Sequence, residues 1–182
     1  MADDRSPIAG AVTPAIIIRF ATEDDCALLL RLIRQLAAYE KAPDAVVATE
    51  ADLQRHGFGP ARQFEAIIAF LDGEPAGAAL FHTRFSTWLG RPGMYLEDLY
   101  VVETARGHGV GRRLMARLAR VAVERGWGRI DFHVLDWNPA RGFYHRLGMA
   151  HVDGWLRYGA EEDALKRLAA EDIIAMPPVS RT

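Results

Sequence analysis

Two hydrophobic rhythms alternate along the chain. Short runs of β-branched and aromatic residues at 16–20, 65–71, 76–85, 94–102 and 130–135, bounded by turn residues, predict strands. Between them Leu28, Leu29, Leu32, Ile33 and Leu36 recur at three- and four-residue steps and predict an amphipathic helix. Val110, Leu114, Leu118, Val121 and Ala122 predict a second one, ending near Arg125-Gly126. Thr22 before Asp25, and Thr49 before Asp52, read as helix N-caps, the latter opening a short helix that stops at Gly57. Asp72-Gly73-Glu74-Pro75 is a hairpin signal, and Trp88 to Gly93 reads as a loop. Asn138-Pro139 opens a helix that carries Phe143 and Tyr144 and ends at Gly148. Residues 149–158 read as a last strand and 161–170 as a terminal helix. The order β-α-α-β-β-β-α-β-α-β predicts an α/β chain with a mixed sheet and helices on both faces.

One stretch carries chemistry on its face. Met94 to Val102 runs into Arg106-Gly107-His108-Gly109-Val110-Gly111, and a helix begins there. Amide groups of a first helical turn lack intrahelical acceptors, and the dipole makes that end positive. Glycines permit the turn that aims those amides, and Arg106, Arg112 and Arg113 add charge, so the stretch predicts an anion site. It is not a Walker A loop, which ends in Gly-Lys-Ser/Thr. Nor is it a dinucleotide fingerprint: the third glycine would fall at Arg112 or Leu114.

Composition narrows the classes without naming one. The 182 residues are 50% hydrophobic and 25% charged with a net charge of -2, which fits one globular domain and no basic footprint for nucleic acid. A lone cysteine, Cys26, cannot form an internal disulfide, so a reducing cytoplasm is expected. The first residues contain Asp3, Asp4 and Arg5 before a short apolar run, which does not read as a signal peptide, and no stretch reaches membrane-spanning length. The six histidines show no metal-ligand spacing, so no metal is expected. Residues 1–14 and 171–182 read as tails around a domain at 15–170.

The Arg-x-x-Gly-x-Gly word on a strand-to-helix turn resembles the pyrophosphate-binding motif of the GCN5-related N-acetyltransferases (GNAT), and the element order matches that family from about Ile16 to about Ala170. Further words resemble its diamine acetyltransferases, which act on spermidine, spermine or thialysine. They are Leu36-Ala37-Ala38-Tyr39-Glu40-Lys41, Gly57-Phe58-Gly59, Ser86-Thr87-Trp88-Leu89-Gly90-Arg91, Tyr95-Leu96-Glu97-Asp98-Leu99-Tyr100-Val101, Leu135-Asp136-Trp137-Asn138 and Asp153-Gly154-Trp155. The Ser-Thr-Trp and Leu-Asp-Trp-Asn forms are more similar to the thialysine branch.

The resemblance implies a GNAT fold, with a mixed, mostly antiparallel sheet, and acetyl-CoA as cosubstrate. It implies that Leu99, Tyr100 and Val101 offer main-chain groups to the pantetheine arm. Arg106, Gly107, His108, Gly109, Val110, Gly111 and Arg112 would hold the pyrophosphate, and Asn138, Pro139 and Ala140 would make a second coenzyme contact. Tyr144 falls at the family's catalytic tyrosine and Glu97 at an acceptor-site carboxylate. Tyr39, Glu40, Trp88, Asp98 and Asp153 fall on or near the amine pocket, with Asp131, Phe132 and His133 on a further segment of it. Asn138 and Tyr144 enclose five residues where the family has six, so the loop before the helix is shortened. A homodimer is also implied, with Tyr39 and Trp88 near the partner chain.

The chemistry suits these residue types. An ammonium near the lysine value of about 10.4 must lose a proton before it attacks a thioester. A carboxylate such as Glu97 can take that proton, and a tyrosine hydroxyl can give one to the departing thiolate. The expected activity is acetyl transfer to a small cationic amine, with a protein N-terminus or lysine as the alternative acceptor and a non-catalytic acyl-CoA-binding module as the alternative class. Glu97 and Asp98 are adjacent on a strand, so they should face opposite ways unless a bulge intervenes.

Overall fold

The computed structural model describes residues 14–172. The chain divides into two compact units, Met1–Pro139 and Ala140–Thr182. The expected tails lie almost wholly outside the described residues.

The first unit is built on a five-stranded sheet. Its strands, β1 (Ile16–Phe20), β2 (Glu65–Leu71), β3 (Glu74–Ser86), β4 (Arg91–Val101) and β5 (Ile130–Asp131), lie in sequence order. The first three pairings are antiparallel and β4–β5 is parallel. Asp72 and Gly73 have φ of 51° and 89°, a pair of left-handed residues that matches the twist of the strands they join. The turn is therefore two residues long, and Glu74 and Pro75 belong to β3 rather than to the link that the sequence suggested. At the other end of β3 the loop is likewise shorter than expected, because Arg91 to Gly93 already pair with β3.

Helix α1 (Cys26–Tyr39) and the short α2 (Glu50–Leu53) cover one face of the sheet. Cys26, Leu29, Leu30, Leu32 and Leu53 form a cluster with Ala66, Ile68, Ala78 and Leu80. Leu28 and Ile33 pack on its margin, so the buried stripe is rotated slightly from the one the spacing predicted. Strand residues of the opposite parity, Ile67, Ala69, Ala79, Phe81, Met94 and Leu96, are buried on the other face. Helix α3 (Val110–Glu124) contacts β1, β2, β3 and β4 and buries Val110, Leu114, Met115, Leu118, Val121 and Ala122. Each fully buried large aliphatic side chain contributes about 1.5–3 kcal/mol, and these two layers supply most of them. Arg19 ties β1 to the start of α1 through a two-pronged ion pair with Asp25 at 2.6 and 2.8 Å.

The second unit contains α4 (Ala140–Arg146) and α5 (Glu162–Ala169). Two strand expectations fail. Only Ile130 and Asp131 of the 130–135 run pair with β4, and residues 149–158 form no strand. Alternating apolar residues make a strand only where a paired edge takes up their backbone groups. Val152, Trp155, Leu156 and Tyr158 are exposed instead.

Candidate active site

The register of β3 on β4 slips in the middle. Leu80 faces Asp98, whereas Phe81 faces Leu96, so Glu97 is the extra residue of a β-bulge. Leu96 is buried on the α3 face, and Asp98 stands opposite Leu80 of the α1 cluster. The bulge thus turns both Glu97 and Asp98 to the α1 face. Burial, then the charges of Glu97 and of Glu40 at the end of α1, push the Asp98 carboxyl up to about 6. The Glu97 side chain is exposed, and its Oε2 lies 3.8 Å from Nε2 of His82. Three carboxylates are thereby gathered at one place.

Past this point the two parallel strands separate. β4 pairs with β5 only at Met94 and Tyr95, and among the described residues no strand pairs with the same edge over 96–101. Leu99, Tyr100 and Val101 lie on this opened edge. Gly77 sits beneath it: a Cβ there would come within 2.4 Å of the Tyr100 carbonyl oxygen.

At the end of β4 the chain enters the glycine loop. Gly107 and Gly109 have φ of 81° and 84°. A Cβ at either would meet no atom within 4 Å, so it is the left-handed backbone, not crowding, that requires glycine. Gly109 is the N-cap of α3 and offers no capping side chain, which leaves the first-turn amides aimed outward. Gly107, His108, Arg112 and Arg113 are exposed. His108 Nδ1 donates to the Arg106 carbonyl at 3.0 Å and stiffens the turn. Arg106 is placed differently from its neighbours. Its Nε donates to the Val101 carbonyl at 3.2 Å, and its guanidinium lies over the rings of Tyr39 (4.7 Å) and Tyr100 (5.9 Å).

The end of α1 is closed by a Schellman arrangement. Lys41 N–H bonds the Ala38 carbonyl and Ala42 N–H bonds that of Ala37, with Lys41 left-handed at φ 64°. A lysine is an uncommon choice for that conformation. Its ammonium lies 4.4 Å from the centre of the Trp137 ring, and Tyr39 packs on the same ring at 6.4 Å. The Tyr39 hydroxyl donates to the buried Asn138 carboxamide at 3.5 Å. These contacts tie the Tyr39-Glu40 corner to the Leu135–Asn138 segment.

Asp131 is engaged by Arg129 at 2.7 Å and Arg84 at 3.6 Å. Phe132 is half-buried and His133 exposed. Trp88 is 86% exposed at the β3–β4 turn, beside Phe85 and Leu89. In the second unit Tyr144 lies on α4, half-buried, with its ring edge-on to Phe143 at 5.1 Å. Asp153 there is exposed and 3.0 Å from His151.

The sequence reading passed over His82. It sits directly opposite Tyr95 in register, with ring centres 5.1 Å apart. The Tyr95 hydroxyl in turn bonds Nδ1 of His133 at 2.5 Å. Metal-ligand spacing was the wrong signal for these histidines, because strand pairing rather than chain distance brings them together.

An opened strand edge thus leads to a glycine-capped helix N-terminus, with carboxylates on a bulge beside it. The acetyltransferase (GNAT) family model matches residues 30–149. A thialysine N-epsilon-acetyltransferase of Bos taurus is 38% identical over 86% of this chain and 98% of its own length. An L-ornithine N5-acetyltransferase of Arabidopsis thaliana is 27% identical over 83% of this chain and 86% of its own. Among solved structures, an integron cassette protein from the mobile metagenome of V. cholerae superposes with a TM-score of 0.71 at 28% identity, covering 85% of this chain and 97% of that one. The chain belongs to the acetyltransferase (GNAT) family, and it is an amine N-acetyltransferase.

Proposed function

We propose that the protein moves an acetyl group from acetyl-CoA to the side-chain amine of a small, lysine-like amino acid. The observation that carries this reading is the gathering of Glu97, Asp98 and Glu40 on one face of the bulged strand. Such a cluster attracts an ammonium before it takes its proton.

The residues present suit the coenzyme. Gly107 and Gly109 give the turn, the bare cap of α3 leaves its first amides for a pyrophosphate, and Arg112 adds charge beside them. His108, Val110 and Gly111 complete the loop, and Arg106 acts at its rim because its guanidinium is held by Val101 and Tyr39. Leu99, Tyr100 and Val101 present the edge along which a pantetheine arm can lie as an added strand. Asn138, Pro139 and Ala140 take the second contact; Asn138 does so through its main chain, since Tyr39 engages its side chain. Once bound, acetyl-CoA supplies the acetyl group as a thioester. Glu97 takes the proton of the acceptor ammonium, and Tyr144 donates one to the departing sulfur.

Glu40, Asp98 and Tyr39 line the acceptor side, with Phe132 and His133 beyond them. Asp131 steadies Arg84, which meets the carboxylate of an amino-acid acceptor. Thialysine and ornithine, on which the two relatives act by name, each join such a carboxylate to a side-chain amine. We place the enzyme in the cytoplasm, in keeping with its buried free Cys26, and as a homodimer, with exposed Phe85, Trp88 and Leu89 as the surface a second copy would cover. No helix among the described residues is long and apolar enough to cross a membrane.

The test is kcat/KM with acetyl-CoA for thialysine, ornithine and spermidine, in the wild type and in Arg84→Ala. Preference for the two amino acids, lost in Arg84→Ala, supports the reading. Preference for spermidine, unchanged by Arg84→Ala, overturns the acceptor class.

A further inference from the structure

His82 holds a fixed tautomer. Its Nδ1 lies 3.2 Å from the Thr83 carbonyl oxygen, which can only accept, so Nδ1 carries the hydrogen. In the neutral ring the lone pair is then on Nε2, the atom 3.8 Å from Glu97 Oε2. Two acceptors face each other across that gap. A donor nitrogen about 2.9 Å from each would fit between them. The ring is held by its stack on Tyr95, whose hydroxyl is anchored to His133, and it is partly exposed, so it can exchange protons with water.

We propose that His82 is the terminal proton acceptor of the transfer, working with the Glu97 carboxylate, a role that rests on the amine-acetyltransferase reading above. The acceptor ammonium is bound between Glu97 and Nε2, and the proton that Glu97 takes from it passes on to Nε2. This leaves a neutral amine and an imidazolium beside the carboxylate. The amine lone pair forms the N–C bond as the C–S bond breaks, and the second proton lost by nitrogen is matched by the one gained by sulfur. One ammonium and one thioester thus yield an amide, a thiol and a proton, and the proton left over is the one His82 gives to water.

The groups facing His82 are Glu97 and Tyr95 on β4, Asp98 beside them with Glu40 behind, and His133 after β5. Arg84, two residues along β3, is paired with Asp131, which Arg129 also holds. Asp98 titrates near 6, so the experiment works above that range.

The variant is His82→Gln, whose amide can still donate to the Thr83 carbonyl but cannot take a proton. With a lysine-like acceptor at pH 7, kcat/KM should fall about 100-fold, a typical general-base contribution. The deficit should shrink toward pH 9 as more amine arrives neutral. With an aminooxy analogue of the acceptor, neutral at pH 7, the variant should match the wild type within about threefold, because only the proton-transfer contribution is removed. An equal deficit for both acceptors at both pH values would show that His82 only supports the structure. No deficit at all would show that Glu97 works without it, and either result overturns the proposal. A second measurement needs no coenzyme: ring 15N shifts of His82 in the free enzyme should report the Nδ1–H tautomer, and the Nε2–H tautomer would overturn the assignment. A wild type that acetylates no amine would remove the parent reading as well, whereas an active wild type with an unaffected variant removes His82 alone.

Discussion

Glu97 and Asp98 are neighbours in the chain and yet share one face of β4, because the pairing with β3 slips by a residue between Leu80 and Phe81. Asp98 is half-buried there, and its burial, followed by the charges of Glu97 and Glu40, pushes its carboxyl up to about 6.

Asp98 should therefore cost stability when ionised. Its carboxyl titrates at about 6 in the folded chain against the usual 3.8, so the folded state holds the proton more tightly. The stabilisation is complete below 3.8 and is lost as pH rises through 6. Asp98→Asn should raise unfolding free energy over the wild type by about 1–3 kcal/mol at pH 8, and by much less at pH 4. Denaturant titrations at both values check this; an equal difference at the two would contradict it.

Arg19 and Asp25 have the opposite sign. The Arg19 guanidinium, ahead of the Thr22 contacts, holds the Asp25 carboxyl at about 2. Its stabilisation is present above the unfolded value of 3.8 and is lost as pH falls toward 2. Asp25→Asn should cost about 1–2 kcal/mol at pH 7, discounted for the partly exposed arginine, and almost nothing near pH 2. Thermal unfolding followed across that range gives the answer.

The glycine loop makes a conformational prediction. Gly109→Ala meets no neighbour, but it must hold φ near 84°, which costs a residue with a Cβ about 1–2 kcal/mol. Coenzyme A affinity measured by calorimetry should fall roughly five- to thirtyfold, the same energy expressed as a binding ratio. Unchanged affinity with the fold intact would mean that the loop does not hold the pyrophosphate.

Tyr144→Phe should lower kcat by about 10²–10⁴-fold, the usual span for a general acid, and leave coenzyme A affinity unaltered. Stopped single-turnover assays with the acceptor saturating separate the two. A rate within about threefold of wild type would assign the proton on sulfur to solvent.

Much of this was legible from local pattern. The spacing in α1 and α3, the Thr22 and Thr49 caps, the Asp72-Gly73 turn and the glycines ahead of Val110 are each set within a few residues, where backbone preference and periodicity act. The family words around Glu97 and Tyr144 are local in the same sense. What tertiary structure alone decided depends on pairing between distant segments. The slip that puts Glu97 beside Asp98 exists only between β3 and β4, and nothing in Tyr95-Leu96-Glu97-Asp98 announces it. His82 and His133 are joined through Tyr95 because three strands run side by side, so no spacing in the chain could reveal them. Arg106 turns to Val101 and Tyr39, since an aromatic ring and a main-chain carbonyl lie within its reach. The 149–158 run has a strand's composition but no paired edge among the described residues of its unit, and hydrogen bonds, not composition, make a strand.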